Sequence, residues 1–355
     1  MTNSRIEKGD YLMNRSNLFR PMKLVSMLLL SLCSITGIYA QTWEYLGARW
    51  CVSVTSDMSL GYSGTTRVLY LAAKRDSLLK STGSTIYWVN DTQLANADFV
   101  TCLFRNPDVV YAGVNNVGVS KSTSGGNSWT QINNGLTNLK VVRLAISPFD
   151  VGRLYVGAVG IATQQPTDVA LFKSTDGGTN WTAVGQFASL NMTVNRIVFD
   201  PDASSSNYIY VAGPGTDGGV WRSSDGGGAW LHKNQGITVN DISNVLSLGI
   251  APAPQSNILY VGTHNGKIYK TTNRGDNWTQ VYSSSGRLIN DLRVDPAQAS
   301  TIYAATSQGV LKSTDSGTNW VSMNDGIQDF DVRAIVPDPG WGQQPSVGPF
   351  MPEQT

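Results

Sequence analysis

From residue 100 onward the chain alternates between short apolar runs and clusters of Gly, Ser, Asn and Asp, and runs of helical 3.6-residue period are hard to find outside the N-terminus. Five apolar runs end near a proline: TCLFRNP (Thr101 to Pro107), VRLAISP (Val142 to Pro148), NRIVFDP (Asn195 to Pro201), LSLGIAP (Leu246 to Pro252) and NDLRVDP (Asn290 to Pro296). Each is followed by a short run built around a tyrosine: VVYAG, RLYVG, YIYVAG, ILYVG and TIYAA. Both kinds of run have the length and composition of strands. The pattern predicts an all-β chain of short strands and tight turns.

An eight-residue motif, S-x-D-x-G-x-x-W, recurs in phase with these runs. Its six copies are STGSTIYW (Ser81 to Trp88), STSGGNSW (Ser122 to Trp129), STDGGTNW (Ser174 to Trp181), SSDGGGAW (Ser223 to Trp230), TTNRGDNW (Thr271 to Trp278) and STDSGTNW (Ser313 to Trp320). Successive tryptophans are 41 to 52 residues apart, about 46 on average, which is the size of one four-stranded propeller blade. One unit then holds an inner strand, a tyrosine strand, a strand running into the box, and an outer strand beginning at the tryptophan. The expected fold is a β-propeller over residues 41–337, with six complete blades, a partial seventh, and an irregular tail over 338–355. Seven units would need about 325 residues, and 315 follow Ala40. The final run, DVRAIVP (Asp331 to Pro337), is of the inner type, and the early TWEYLG (Thr42 to Gly47) is of the outer type. These two could contribute to one closing blade.

These residues resemble the Asp-box (BNR) repeat. The fuller unit, LYVG followed by KSTDGG, is similar to the propellers of sortilin-type receptors, photosystem II assembly factors and BNR-repeat glycoside hydrolases. That resemblance specifies a fold and leaves function open, because the group holds enzymes, receptors and assembly factors. Within each box the carboxylate is expected to accept backbone N–H groups, the glycines (Gly178, Gly227, Gly275, Gly317) to allow positive φ, and the tryptophan to fold back onto the blade. On this reading Asp176, Asp225 and Asp315 are structural. Asn273, Ser124 and Gly83 replace the carboxylate in the fifth, second and first boxes, so the first blade should be the least rigid.

Composition narrows the function classes. A net charge of +1 supplies no field for a nucleic acid or an acidic membrane. Two histidines and three cysteines show no metal-ligand spacing, and no cofactor motif is present. Arg15, Arg20 and Lys23 precede the apolar run from Leu24 to Ala40, which reads as a secretory signal peptide (1–40) and is too short and broken for a membrane span. Residues 1–21 could reflect a misassigned start before Met22. The mature chain would be secreted, periplasmic or held at the cell surface, with no membrane span. Leu32 before Cys33 argues against a lipid anchor.

Four groups of residues are candidates for function. Counting five positions back from each proline aligns Cys102, Arg143, Arg196, Ser247 and Asp291 on the inner strands, with Cys51 and Arg333 joined by looser alignment. Arg143, Arg196, Asp291 and Arg333 could bind a carboxylate or a sugar in the central channel, or pair with one another. Cys51 and Cys102 could form a disulfide between adjacent blades, or stand as two buried thiols. A basic residue precedes every box (Lys80, Lys121, Lys173, Arg222, Lys270, Lys312) and reads either as a cationic ring or as a solvated edge. The loops Ile161 to Asp168, Gly213 to Gly219 and GYSGTT exceed the repeat minimum, and long loops on a rigid scaffold gather binding residues. Arg274-Gly275-Asp276 matches an integrin-binding tripeptide but lies inside a box.

Sialidases of this type use an arginine triad, a Tyr/Glu pair and an FRIP-like segment. Here the nearest match is FRN (Phe104 to Asn106), and Glu353 is the sole glutamate after Glu44. Xyloglucanase-type enzymes join two propellers and take one catalytic Asp from each, whereas this chain has length for one. The resemblance therefore implies a propeller that binds an unknown protein or polysaccharide without catalysis. The alternative is a xyloglucanase-like or sialidase-like glycoside hydrolase present as an incomplete fragment.

Overall fold

The computed structural model describes residues 55–337, apart from 64–65, 74–77, 83–88, 92–98, 104–105, 162–168, 328–329 and positions 115, 206 and 326. It is a β-propeller. Its strands form six four-stranded antiparallel sheets among the described residues. Blade one comprises β1 (Thr55–Ser63), β2 (Thr66–Ala73), β3 (Leu78–Thr82) and β4 (Val89–Asp91), and blade two β5 (Phe99–Leu103), β6 (Asn106–Val114), β7 (Gly118–Ser122) and β8 (Thr130–Gln131). Blade three is β9 (Val141–Ile146), β10 (Leu154–Ala158), β11 (Leu171–Ser174) and β12 (Thr182–Ala183), followed by blade four, β13 (Arg196–Phe199), β14 (Ile209–Gly213), β15 (Gly219–Ser223) and β16 (Leu231–His232). Blade five is β17 (Val245–Ile250), β18 (Leu259–Thr263), β19 (Lys267–Thr271) and β20 (Thr279–Ser283), and blade six β21 (Ile289–Val294), β22 (Ile302–Thr306), β23 (Gly309–Ser313) and β24 (Val321–Ser322). The strands of each blade pair in chain order from the first, innermost strand outward, and the inner strands of successive blades lie side by side.

The tyrosine strands read as continuous apolar runs because each is covered on both faces by neighbouring blades. Every residue of β10, β14, β18 and β22 is buried. The core accordingly sits between blades: Tyr210 and Val220 of blade four pack with Val245, Leu259 and Val261 of blade five.

Each box closes on itself as its residue types require. Ser174 donates to Asp176 (2.8 Å) and accepts from the N–H of Gly178 (2.9 Å), while Asp176 accepts the N–H of Asn180 (2.9 Å) and its side-chain amide (2.7 Å). Ser223 and Asp225, and Ser313 and Asp315, repeat the arrangement. In the fifth box Asn273 accepts through its Oδ1 from Thr271 and from the Asn277 N–H, so the carbonyl oxygen alone suffices. Ser124 serves in the second box, where its contact to Ser122 lengthens to 3.4 Å. In the first box Trp88 lies outside the described residues, as does the side chain of Ser81.

The fourth residue adopts left-handed backbone in boxes two to six, including the non-glycine positions Arg274 (φ 58°) and Ser316 (φ 59°). This turn aims a carbonyl at the preceding blade. Lys80 donates to Gly125 O (2.9 Å), Lys121 to Gly177 O (3.1 Å), Arg222 to Arg274 O (2.8 Å) and Lys270 to Ser316 O (2.9 Å). The hydroxyls of Tyr111 and Tyr260 reach two of the same carbonyls, and that of Tyr155 reaches the equivalent one, Gly226 O. In blade four the buried Tyr210 hydroxyl has no partner among the described residues, and Arg222 makes the contact alone. The basic row is thus neither an outward cationic ring nor a solvated edge at these four positions; it fastens one blade to the next.

The tryptophans divide in the same way. Trp129 and Trp320 donate within their own boxes, to Gly126 O and Gly317 O (both 3.0 Å). Trp181 and Trp278 reach the preceding blade instead, at Ile132 O (2.7 Å) and Lys233 O (2.8 Å). Trp230 packs edge-on against Phe187 (5.5 Å) and Tyr155 (6.1 Å), both from blade three or the connection that leaves it. After blade six, residues 331–337 carry no strand assignment, yet Val332, Ala334 and Ile335 are buried. Val332 and Ile335 pack with Tyr303, Ala305 and Val310, where an inner strand of a following blade would lie.

Hydrogen bonds from the backbone and amide of Asn180, and from Ser174, hold the Asp176 carboxyl at about 2, below its ordinary 3.8; Asn319 and Ser313 do the same for Asp315. A folded value below the unfolded one gives stability that is complete above about pH 4 and is lost as pH falls through about 2. Melting curves by circular dichroism should therefore fall steeply over that window, and the Asp176→Asn/Asp315→Asn variant should fall less.

Candidate functional site

The inner strands bring a charged cluster to the axis. In blades three to six the register is regular: Arg143 faces Gly157, Arg196 faces Ala212, Ser247 faces Gly262 and Asp291 faces Ala305. Three of these positions, on β9, β17 and β21, follow a register shift that re-aims the side chain. Asp291 is 3% exposed. Arg196 crosses from blade four to blade six, placing Nη2 2.6 Å from Asn290 O and 3.8 Å from Asp291 Oδ1, while Nη1 holds Asn195 O at 2.8 Å. Arg293 Nε donates to Asp291 Oδ2 at 3.2 Å, and the N–H groups of Leu292 (3.1 Å) and Ile335 (3.3 Å) complete the shell. Burial pushes the Asp291 carboxyl up, but Arg293, Arg196, Arg143 and the Ile335 N–H outweigh it and hold the group below the ordinary carboxylate range.

The structure sets Arg143, Arg196, Ser247 and Asp291 at matching register positions and places Cys102 and Arg333 of the predicted row elsewhere. Arg333 does not join Asp291; it pairs with Asp331 (2.7 Å), and both are largely exposed. In blade two the counterpart of Arg143 is Phe99, facing Gly113, whereas Cys102 faces Val110. The proline count fails there because β5 and β6 are joined across Leu103 and Asn106, which puts Pro107 inside the tyrosine strand. The position in blade one that corresponds to Cys102 is Leu60, facing Leu69. Equivalent placement therefore gives no support to a Cys51–Cys102 disulfide, and Cys51 and the Cys102 side chain lie outside the described residues. Arg293 was missed, although a second charge two residues along a strand shares the face of the first.

The other candidates are engaged or lie outside the described residues. The guanidinium of Arg274 lies 4.7 Å over the Tyr208 ring and 3.8 Å from Asp200, while Asp276 pairs with Arg222 (3.0 Å) and Lys233 (2.7 Å). The tripeptide is therefore part of the seam between blades four and five. Loop residues 162–168 and the N-terminal residues 1–54, with the expected signal peptide, lie outside the described residues. Among the described residues no group of three His, Cys, Asp or Glu side chains could hold a metal ion, and no helix is long and apolar enough to cross a membrane.

No family model matches the chain. It is 27% identical over 261 residues to a xyloglucanase from a Paenibacillus species, covering 66% of this chain and 22% of that protein. A xyloglucanase from Hypocrea jecorina is also 27% identical, over 62% of this chain and 30% of its own length. The chain thus spans less than a third of the curated relatives it matches. Among solved structures, the Niastella koreensis GH74 enzyme superposes with TM-score 0.61 at 21% identity, over 79% of this chain and 47% of that one. YCF48 bound to D1 peptide gives TM-score 0.56 at 18% identity, over 78% and 84% respectively. The extracellular domain of BT4673 from B. thetaiotaomicron gives 0.57 at 15%, over 79% and 34%. These structures agree in fold.

Replacing Asp291 by Leu leaves converging guanidiniums without their shared carboxylate and should cost about 3–5 kcal/mol in urea unfolding. Arg333→Ala removes an exposed pair and should cost less than about 1 kcal/mol in the same measurement.

Proposed function

We propose that this chain is an exported binding module, holding a glycan or protein ligand on a rigid propeller without hydrolysing it. The observation that supports this most directly is the state of the acids. Glycoside hydrolysis needs two carboxyl groups flanking one bond, with a raised pKa on the acid. Here Asp176, Asp225 and Asp315 lock turns, and Asp291 is enclosed by arginines. The aspartates whose acidity is shifted move downward, and residues 45–352 contain no glutamate. Likeness to YCF48, solved bound to D1 peptide and covered over 84% of its chain, is consistent with a single propeller used for recognition. The N-terminal segment supplies the reason to place it outside the cytoplasm.

A second reading is supported by the xyloglucanase relatives. They match over only 22% to 30% of their own lengths, so this chain would correspond to one part of such an enzyme. One half of a two-propeller cleft could hold the polymer and contribute a single carboxylate.

The two readings separate in one experiment on the purified chain. Affinity electrophoresis in xyloglucan-containing gels should show retardation, and reducing-end assays on xyloglucan and a sialyl substrate should show no turnover. Turnover that persists through repurification would replace the first reading with the second.

A further inference from the structure

The connection from blade four to blade five departs from the repeat in length and chemistry. Ile237 and Leu136 are equivalent positions, each N–H closing on an asparagine carbonyl three residues back at 2.9 Å. From Ile237 to Val245 the chain takes three more residues than from Leu136 to Val141, and the added length forms the short helix α1 (Val239–Ile242). Asp241 on this helix is fully buried. It accepts hydrogen bonds from Thr238 Oγ1, Asn265 Nδ2 (2.8 Å), Lys267 Nζ (2.8 Å) and Tyr269 Oη (2.6 Å). Burial pushes its carboxyl up, and these four donors, Lys267 foremost, bring it down to about 2. A buried carboxylate with four donors is a costly feature for a loop, and it fixes the pieces around it.

Those pieces line a cavity of about 480 Å³ between the two blades, formed by Thr238, Asn240, Ser243, Asn244, Asn265 and Lys267 above Asp241. Its walls are preset. Asn244 Nδ2 and Asn265 Nδ2 both hold Asn240 O (2.6 and 3.2 Å), and Gly215 N–H ties Ser243 O to the hairpin of blade four (3.1 Å). The Oδ1 atoms of Asn240, Asn244 and Asn265 accept no hydrogen bond among the described residues, and the side-chain amide of Asn240 donates none. The two charged groups of the wall, Lys267 and Asp241, neutralise each other at 2.8 Å.

We propose that this pocket binds a neutral oligosaccharide. The inference rests on the binding-module reading and gives it a location and a ligand class. A lining of amides and hydroxyls around a self-neutralised ion pair offers acceptors and donors side by side, matching hydroxyls that do both. An anion or a cation would find no uncompensated partner, and an apolar ligand would leave the amides unpaired at a cost. The preset walls reduce the ordering cost of binding.

Saturation-transfer NMR on the full chain tests this, with xyloglucan heptasaccharide as the neutral probe and trigalacturonic acid as the charged one. The neutral probe should receive saturation, Ser243→Trp should abolish the transfer by filling the cavity, and Asn240→Ala should weaken binding about fivefold or more. Asn240 makes no side-chain hydrogen bond among the described residues, so its variant decides the matter alone if Ser243→Trp does not fold. Equal binding of the neutral probe by wild type and both variants overturns the pocket while leaving the binding-module reading intact. Binding of trigalacturonic acid that is lost in Ser243→Trp overturns the neutral class. Absence of any transfer overturns the pocket and, with it, the glycan arm of the binding reading.

Discussion

A carbonyl turned outward by a left-handed residue and received by the preceding blade is the contact on which this propeller depends. Within a box the Ser–Asp network determines the turn, and the turn determines where that carbonyl points. On the receiving side a lysine or arginine donates to it, joined after blades two and five by the tyrosine that faces it across the two middle strands. Each such bond is worth only about 1 kcal/mol net. Repeated around the ring and buried beside the inter-blade cores, it sets the angle at which blades meet and so determines what the inner strands bring to the axis. The left-handed backbone at Arg274 and Ser316 shows the strength of this requirement, since neither residue is suited to it.

Most of the fold was legible in the sequence because a propeller repeats one decision many times. Strand order, the four-strand unit and the turn function of Asp176, Asp225 and Asp315 all followed from spacing and residue type. The direction of the contacts did not. Lys121 and Trp181 belong to one linear pattern, yet Lys121 reaches forward to the box of blade three and Trp181 reaches back to Ile132. Periodicity along a chain says nothing about which neighbouring copy a side chain touches. The register error at Cys102 has a similar origin: a proline marks the end of a strand only where the connecting turn has its usual length.

The candidate sites were legible in proportion to their regularity. Arg143, Arg196 and Asp291 were found by aligning repeats, whereas Arg293 lay one row away on the same strand face. Asp241 and Lys267 belong to no repeated row, and the three-residue lengthening that creates their pocket is small against the 41-to-52-residue variation in box spacing. What marks them is physical: a fully buried carboxylate with four donors, in a connection that other blades make without one.

Conserved geometry and specific function therefore occupy different positions in the molecule. Box aspartates and basic residues that make every blade alike are consumed by making them alike, since each box carboxylate is already held by its serine hydroxyl and by a backbone N–H across the turn. Recognition has to come from positions where one blade differs from the next. The axis offers one such set, where Arg196 skips a blade to reach Asn290, and the connection before blade five offers another. At the axis Asp291 is shared by Arg196 and Arg293, so a ligand there would have to displace existing pairs. In the blade five connection the ion pair lies beneath the surface and the amides above it keep unused acceptors. By that physical criterion the connection is the better prepared of the two to receive a neutral ligand.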